Sequence, residues 1–379
     1  MMPLNIAMLL STAFPPEEGI GNYVFGLTTK LMERGHGVSV ITRGGLKAES
    51  FEYKSIPVIK LPFLMAYPFH VDIHGIFVNK FFKNFKQDFD LVHVHTPLSP
   101  AVRTQLPLVT TFHTPHFADF YSTDIVDVRH FLTKTLEIFD YRIEKSLITS
   151  SAVITAVSKG VKMDLERYYP INLGSVRVIG NAVRSRFLES GRSPSVKKDE
   201  FLLLYVGRLD YRKGLLDLIE SMKLVTKRIP KARLVVVGKG PLLSQVAKRV
   251  NALKLQKHVE VKGFVTEEEV LSYYLSALIF VLPSYYEGLA TTSLEAMACR
   301  AAVVATDVRG NSDVVKSGQT GLLVPKKDPR SLGDAIVYLL EHPDFRERLA
   351  SNARKLIEEN FTWEKVTDRV LEAYSVAMR

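Results

Sequence analysis

Two glutamates eight positions apart, Glu287 and Glu295, lie in the part of this 379-residue chain whose residue types best support chemistry. The surrounding sequence, IFVLPSYYEGLATTSLEAMAC over 279–299, predicts an apolar strand, a loop that begins at Pro283 and Ser284, and then a helix. In an open α/β sheet, ligands bind beyond the carboxyl ends of the strands. Glu287 is therefore expected to face a ligand.

The start of this predicted helix supplies donors for an anion, because the first backbone amides of a helix have no partner within it. These amides belong to Gly288, Leu289, Ala290, Thr291 and Thr292. The two threonine hydroxyls add further donors. Glu295 falls about one turn inside the helix, where its carboxylate can accept two hydrogen bonds from a vicinal diol such as a ribose. The segment favours a nucleotide-sugar site, although its spacing alone more often belongs to a strand, loop and helix with two solvated glutamates.

Two cations stand at the corresponding end of an earlier predicted strand. In FLLLYVGRLDYRKG, residues 201–214, the strand ends at Gly207, and Arg208 and Lys213 follow it. A guanidinium binds phosphate oxygens bidentately and an ammonium acts as a point charge, a pairing that suits a pyrophosphate leaving group. Two solvated surface cations are the alternative interpretation.

Three loops carry weaker signals. Gly238, in VVVGKGP, allows a backbone to approach a ligand closely. Phe264, after the next predicted strand, is placed to stack on or cover a nucleobase, although a core phenylalanine at a turn explains it equally well. Gly19 and Gly21 lie in a predicted loop between the first strand and a helix, and an ordinary turn explains them as well as close approach to a substrate does.

Four histidines occur close together in the first half of the chain: His93, His95, His113 and His116. Imidazole is a common zinc ligand, but no nearby carboxylate pair completes a recognisable metal motif, so we expect no metal site. His113 lies just past the carboxyl end of a predicted strand, which makes it either a site residue or a core histidine.

Apolar runs that alternate with amphipathic segments predict the elements that position these residues. The pattern is typical of a parallel, doubly wound sheet, and it occurs before and after a Ser-, Arg-, Lys- and Gly-rich stretch over 181–200. Because the chain exceeds the length at which one hydrophobic core stops growing, we expect an α/β protein with Rossmann-like domains at 1–185 and 186–360. A last amphipathic helix is predicted within 361–379. Because no predicted strand follows it, this helix can pack back on the first domain.

Composition narrows the class of protein. Hydrophobic residues at 46% and charged residues at 24% are ordinary for a globular chain, and no apolar run is long enough to span a bilayer. The first residues lack the features of a signal peptide, so we expect a cytoplasmic protein. A single cysteine excludes an internal disulfide. The net charge of +10 favours anionic partners, but scattered cations and the lack of recognisable motifs argue against nucleic acid.

Taken in order, VGRLDYRKG, VVVGKGP, VKGF, LPSYYEGLATTSLEAMA and VVATDVRG resemble the donor-binding domain of the retaining GT-B glycosyltransferases of glycosyltransferase family 4. The resemblance spans nearly the whole chain, and its most specific element is the E-x7-E pair of Glu287 and Glu295. It implies a GT-B fold, in which two Rossmann-like domains face each other across a cleft. The loop has EGLAT where EGFGL is commoner, and Arg300, Ala302 and Asp313 also depart from the usual pattern, which leaves the sugar open.

The resemblance also implies roles for the site residues. Glu287 is expected to contact hydroxyls of the donor sugar, and Glu295 is expected to hold the ribose. Arg208 and Lys213 match the Arg and Lys that bind the diphosphate. His113 matches a family histidine that lines the reaction centre beside the donor sugar.

The implied activity is retaining transfer of a hexose from a UDP, GDP or ADP sugar to a hydroxyl acceptor, without a metal or other cofactor. Gly21 matches a glycine-rich loop that meets the donor phosphate or the acceptor in this family. Two alternatives stay open: a nucleotide-sugar epimerase or hydrolase on the same fold, and a nucleotide-sugar-binding subunit without catalysis. The nucleobase, the sugar and the acceptor, which is a sugar, a lipid-linked sugar or a polyol, are not identified by the sequence.

The segment 61–89 interleaves aromatic and basic residues. They are Phe81, Phe82 and Phe85 among Lys80, Lys83 and Lys86. A helix of this kind can lie at a membrane interface, which would place the protein peripherally at the inner face of the membrane. The alternative is a helix that packs its phenylalanines inward and solvates its lysines.

Overall fold

The structure of the protein is a computed structural model that describes residues 2–16, 19–84, 89–118, 140–169, 176–191 and 198–379. The chain forms two compact units, one made of Met1–Asn181 with Trp363–Arg379 and the other of Ala182–Thr362. The division between the units falls after Asn181 rather than after residue 185. The C-terminal helix, Trp363–Ala377, belongs to the first unit.

The first unit is built on one sheet. Its strands are β1 Asn5–Leu10, β2 Gly37–Arg43, β3 Glu49–Tyr53, β4 Ile56–Leu61, β5 Leu91–Thr96, β6 Leu108–Phe112, β7 Val153–Ala156 and β8 Arg177–Val178. Over the described residues they follow the order β3-β4-β2-β1-β5-β6-β7-β8, and all neighbours pair in parallel except β3 and β4. The helices α1 Gly19–Glu33, α2 His70–Asn84, α3 Asp140–Ser150 and α4 Lys159–Tyr168 accompany this sheet.

The two faces of the first sheet differ in polarity, because successive residues of a strand point to opposite faces. One face is apolar and packs with α2 and α3 in a core that includes Leu9, Val94 and Val78. The opposite face carries a row of buried histidines and threonines on β5, β6 and β7. Polar groups therefore lie in the interior of this unit, where each needs a hydrogen-bond partner.

The second unit is also built on one sheet, with strands β9 Leu202–Val206, β10 Arg233–Val237, β11 Val259–Gly263, β12 Ile279–Leu282, β13 Ala302–Thr306 and β14 Leu322–Val324. Their order is β11-β10-β9-β12-β13-β14, and all of them are parallel. The helices are α5 Ser185–Ser190, α6 Leu215–Arg228, α7 Leu243–Ala252, α8 Glu267–Ser276, α9 Thr291–Ala298, α10 Arg309–Ser312, α11 Pro329–Glu341 and α12 Pro343–Asn360. Two parallel α/β units confirm the predicted fold class.

The strand order of the second sheet reverses beside β9, because β10 and β11 lie on one side of it and β12, β13 and β14 on the other. Such a reversal opens a crevice beyond the carboxyl ends of the two adjacent strands, where open α/β sheets bind ligands. The loop after β9 carries Arg208 and Lys213, and the loop after β12 carries Glu287. The fold therefore brings three predicted site residues to one edge of the sheet.

Candidate functional site

Glu287 is the centre of a buried polar cluster beyond the carboxyl end of β12. Its Oε1 accepts a hydrogen bond of 2.6 Å from the Lys213 ammonium and one of 2.7 Å from the Ser284 hydroxyl. Glu287 is only 7% exposed, and Ser284 is fully buried. The structure thus joins a cation and a carboxylate that lie 74 positions apart in the sequence.

The charge of Glu287 follows from its neighbours. Burial alone would raise the pKa of this carboxyl, but the cations of Lys213 and Arg212, with hydrogen bonds from Lys213 and Ser284, hold the pKa below its usual value. Glu287 is therefore a carboxylate at neutral pH. It presents a fixed acceptor beside a fixed cation at the point where the strand order reverses.

Two glycines allow the loops of this cluster to meet. Gly214 has φ +62°, and a Cβ there would collide with the carbonyl oxygen of Pro283. Gly310, in α10, lies so close to the backbone of the Glu287 loop that a Cβ would collide with the Glu287 carbonyl. These approaches hold the loops after β9 and β12 in one arrangement. Neither glycine was assigned a role from the sequence, although a glycine beside a predicted site loop is a usable signal.

Glu295 lies inside α9, and its carboxylate has a cation partner. Oε1 accepts a hydrogen bond of 2.8 Å from Nε of Arg184, and a second guanidinium nitrogen lies 2.8 Å from the same oxygen. Arg184 also pairs with Glu267 at 2.9 Å. Burial raises the pKa of Glu295, and the Arg184 charge opposes that shift. Arg184 was not predicted as a site residue, because the stretch 181–200 has the composition of a linker.

The N-terminus of α9 follows the Glu287 loop directly. Its N-cap is Ala290, whose side chain makes no capping hydrogen bond. Gly288 and Leu289 are buried, whereas Thr291 and Thr292 are half-buried. No side chain at the N-cap competes for the first amides of this helix, which suits an anion placed beside them.

Arg208 is the more exposed of the two predicted cations. Its side chain is 65% exposed, and its Nε lies 3.6 Å from the Asp210 carboxylate. The backbone at this point is fixed, because the buried Tyr205 hydroxyl donates a hydrogen bond of 2.8 Å to the Arg208 carbonyl. A rigid backbone with an exposed guanidinium suits a residue that reaches for an incoming phosphate.

The structure shows the surroundings of Gly238 and Phe264, for which the sequence contained only weak signals. Gly238 has φ +144°, and its Cβ position overlaps the carbonyl of Gly207, so the close approach seen here is to the neighbouring strand end. Phe264 is 80% exposed, and the Lys239 ammonium lies 5.2 Å from its ring centroid. The core interpretation of Phe264 is therefore wrong, and its ring remains available to a ligand.

His113 lies just past β6 and is buried together with two other histidines. Its Nε2 lies 3.2 Å from Nδ1 of His95, and the Tyr23 ring meets it edge-on at 4.9 Å between centroids. The rings of His95 and His93 lie 4.2 Å apart. Burial lowers the pKa of His93 and His113 to about 3 and that of His95 well below its usual value. All three imidazoles are therefore neutral at neutral pH.

The predicted glycine loop of the first unit is in part a helix, because α1 begins at Gly19 and includes Gly21. A Cβ at Gly21 would lie 3.2 Å from the Ala13 carbonyl oxygen and 3.2 Å from atoms of Pro16. Nothing within 4 Å restricts Gly19. Close packing against the turn after β1 thus explains why a glycine is needed at position 21, whereas nothing in the packing requires one at position 19.

His116 belongs to a different cluster from the other three histidines. Its backbone N–H lies 3.1 and 3.2 Å from the two carboxylate oxygens of Glu144, and its ring Nε2 lies 3.6 Å from Asp140. The Tyr169 hydroxyl also donates to Glu144. Burial raises the pKa of Glu144 to about 8. Within the described residues, no group of three or more His, Cys, Asp or Glu is arranged to hold a metal ion.

The structure supports the second interpretation of α2, a helix that packs its phenylalanines inward and solvates its lysines. Phe81 and Phe82 are buried in the core of the first unit, because they lie on the face of α2 that packs against the sheet. Lys80 and Lys83 are exposed. Phe85 and Lys86 lie outside the described residues. Of the helices in the described ranges, none combines the length and the apolarity that crossing a bilayer requires.

Two family models match the chain in succession. The model for glycosyltransferase family 4 matches residues 18–186, and the model for glycosyl transferases group 1 matches residues 189–356. An uncharacterized glycosyltransferase of Methanocaldococcus jannaschii is 28% identical to this chain, and the match covers 99% of each.

Solved structures share the fold. Sucrose-phosphate synthase from Thermosynechococcus elongatus has a TM-score of 0.80 at 24% identity and covers 98% of each chain. Anabaena HepE, solved in complex with UDP and glucose, has a TM-score of 0.72 at 18% identity and covers 98% of this chain and 99% of its own. With family models over both units and two parallel α/β sheets, the chain belongs to the GT-B glycosyltransferases.

Proposed function

We propose that the protein is a retaining glycosyltransferase that moves a hexose from a nucleoside diphosphate sugar to a hydroxyl acceptor without a metal ion. The observation that carries the proposal is the cluster of Lys213, Glu287 and Ser284 next to the N-terminus of α9. A nucleotide sugar offers the complementary groups, a diphosphate for the cation and the helix and hydroxyls for the carboxylate. Anabaena HepE holds UDP and glucose in a fold of this type, which supports the proposal.

In the proposed reaction, the bond between the anomeric carbon and the diphosphate oxygen breaks. A bond from the anomeric carbon to the acceptor oxygen forms on the same face of the sugar. The acceptor proton passes to the departing phosphate oxygen. Negative charge grows on the diphosphate as it leaves, and Lys213, Arg208 and the N-terminus of α9 would neutralise it, which is why no metal is required.

The two glutamates have different proposed tasks. Both described hydrogen bonds of the Glu287 carboxylate go to Oε1, so Oε2 is the atom that would accept from a donor-sugar hydroxyl. The lowered pKa keeps Glu287 ionised, which preserves it as an acceptor. Glu295 would bind the ribose diol, with Arg184 fixing the orientation of its carboxylate.

Thermal unfolding with UDP, GDP and ADP sugars tests the donor site. A saturating ligand stabilises the folded protein by mass action, by about 2.7 kcal/mol at a hundredfold excess over Kd. We expect one nucleotide class to raise the unfolding midpoint of the parent and Glu295→Ala to lose most of that rise. Glu341→Ala, which removes an exposed pair with Arg228, is the control and should keep the rise.

The outcome of that test separates the candidate functions. If no nucleotide sugar raises the midpoint, the donor site is contradicted. If a nucleotide sugar binds and is consumed without any acceptor, the protein is a hydrolase or an epimerase. If a nucleotide sugar binds and no candidate acceptor is ever glycosylated, the non-catalytic binding subunit becomes the better description.

We also propose that the first unit docks on the inner face of an anionic membrane. The docking surface consists of Leu64, Met65, Tyr67, Phe69, Ile76 and Phe77, all of which are exposed. Met65 is 90% exposed and Ile76 is 65% exposed. Lys80 and Lys83 share the face of α2 that carries Ile76, because residues three or four positions apart on a helix are neighbours. Apolar side chains at the lipid boundary, with lysines at the head groups, are typical of a peripheral membrane helix.

Flotation with vesicles tests this docking surface. The parent should bind vesicles that contain phosphatidylserine and not vesicles of phosphatidylcholine alone. Met65→Ser with Ile76→Ser should weaken binding by about tenfold or more. Lys80→Gln should weaken it about fivefold, since a lysine near an anionic surface contributes about 1 kcal/mol. Leu46→Ser is the control, because Leu46 is 77% exposed and lies outside the surface. No binding by the parent would contradict the proposal, as would self-association through this surface.

A further inference from the structure

The polar face of the first sheet holds a row of buried side chains joined by two hydrogen-bonded chains, one through Thr155, Thr111 and His93 and the other through Met8, His95 and His113. The strand register places Met8 beside His93 and His95 beside Thr111, which lies beside Thr155. All five side chains are buried. Because each of these groups has a limited set of donors and acceptors, the direction of every hydrogen bond in the row can be assigned.

The row has a fixed direction at the threonine end. The Thr155 hydroxyl donates to the Thr110 carbonyl at 3.3 Å, since a carbonyl can only accept. Its single proton is then used, so at 2.6 Å the Thr111 hydroxyl donates to Thr155. Thr111 in turn accepts from Nε2–H of His93 at 2.6 Å. The remaining nitrogen, Nδ1 of His93, accepts from the Tyr374 hydroxyl at 2.7 Å.

The same reasoning applies at the methionine end. Nε2 of His95 lies 2.9 Å from the Met8 sulfur, and a thioether can only accept, so this nitrogen carries the proton. A neutral imidazole has one N–H, so Nδ1 of His95 is an acceptor. At 3.2 Å it faces Nε2 of His113, which must therefore donate.

We propose that Met8 and His95 are positioning residues that hold His113 as the Nε2–H tautomer and leave its Nδ1 as a hydrogen-bond acceptor for a substrate hydroxyl. The substrate hydroxyl in this proposal rests on the proposed glycosyl transfer. The assignment of the tautomer does not depend on that function. No residue in the described ranges donates to Nδ1 of His113, and His113 keeps 7% of its surface exposed. The Thr114 hydroxyl donates to the His113 carbonyl at 2.8 Å, which fixes the backbone as well.

The tautomer restricts what His113 can do. A neutral ring whose only free position is an unprotonated nitrogen cannot stabilise a phosphate as a cation. Burial also lowers the pKa of His113 to about 3, far from the value that suits a general base at neutral pH. The remaining role is to orient a hydroxyl. The edge-on Tyr23 ring helps to keep the imidazole in place.

Long-range ¹H–¹⁵N correlation spectra of the full-length protein, labelled at histidine and recorded at pH 7, test the assignment directly. The signals of His113 are identified by their loss in His113→Gln. We expect Nε2 of His113 and Nε2 of His95 to be protonated and their Nδ1 atoms to be unprotonated. Met8→Leu should release His95, so that both rings populate the two tautomers. Met222→Leu, at another buried methionine, should leave the spectrum unchanged.

Three results would overturn the proposal: a protonated Nδ1 in His113, a doubly protonated His113, or a Met8→Leu spectrum identical to that of the parent. The first two come from the parent protein and need no variant to fold. None of these measurements uses turnover. A protein that binds no nucleotide sugar but shows the expected spectrum would contradict the proposed function and leave the tautomer intact.

Discussion

Replacing Lys213 with alanine is expected to lower turnover by about 100- to 1000-fold, because one preorganised charge at a developing anion is removed. The same change should destabilise the second unit by about 3–5 kcal/mol, because it leaves the Glu287 carboxylate buried without its ion-pair partner. Both side chains are largely buried, with exposures of 15% and 8%, so solvent does little to screen the loss. Turnover with the identified donor and denaturant unfolding measure the two effects.

The double variant Lys213→Ala with Glu287→Gln separates stability from chemistry. A neutral amide removes the uncompensated charge, so most of the stability should return while turnover stays low. Arg228→Ala, which breaks an exposed pair with Glu341, is the control and should change neither quantity. Turnover of Lys213→Ala within tenfold of the parent would contradict the assigned role of the cation.

Gly310→Ala is expected to lower turnover by about 100-fold, although residue 310 would touch no substrate in the proposed mechanism. The added methyl group would overlap the carbonyl of Glu287, which is backbone and cannot rotate away. The loop must therefore move, and a displacement of about 1 Å at a reacting group costs about two orders of magnitude in rate. Overpacking of this kind also destabilises a protein by about 1–3 kcal/mol.

Steady-state kinetics and thermal unfolding of Gly310→Ala check this expectation. Gly45→Ala is the matched control, because a Cβ at Gly45 meets nothing within 4 Å. Its turnover and unfolding midpoint should equal those of the parent. Parent-like turnover in Gly310→Ala would show that the Glu287 loop tolerates displacement, which would argue against a site preorganised by this backbone contact.

The part of the candidate site that lies in the second unit is largely predictable from the sequence. Each signal there is local: an apolar strand, then a loop with a charged residue and glycine, then a helix. The convergence of Lys213 on Glu287 follows once two such loops flank a reversal of strand order. Arg184 could not be found this way, because its bond to Glu295 joins residues 111 positions apart and its own segment looks like a linker.

Side-chain direction on α2 could not be obtained from composition. Phe81 and Phe82 alternate with lysines, and that pattern fits both an interfacial helix and a core helix. The packing of α2 against the sheet determines which side chains face inward. It buries both phenylalanines and leaves Ile76 and Phe77 exposed. The interior role of His93 was equally hidden, because its partner Tyr374 lies 281 positions away.

The helix Trp363–Ala377 gives the chain an order of assembly. It follows the second unit in the sequence, yet it completes the first, with the Trp363 ring against Gly26 of α1 and the Tyr374 hydroxyl on His93. Synthesis proceeds at about 5–20 residues per second. The contacts of α1 and His93 with this helix therefore cannot form until the whole second unit has been synthesised. The second unit is contiguous and has its own sheet, so it can fold in that interval. The hydrogen bond between Tyr374 and His93 therefore forms only after the second unit has been made.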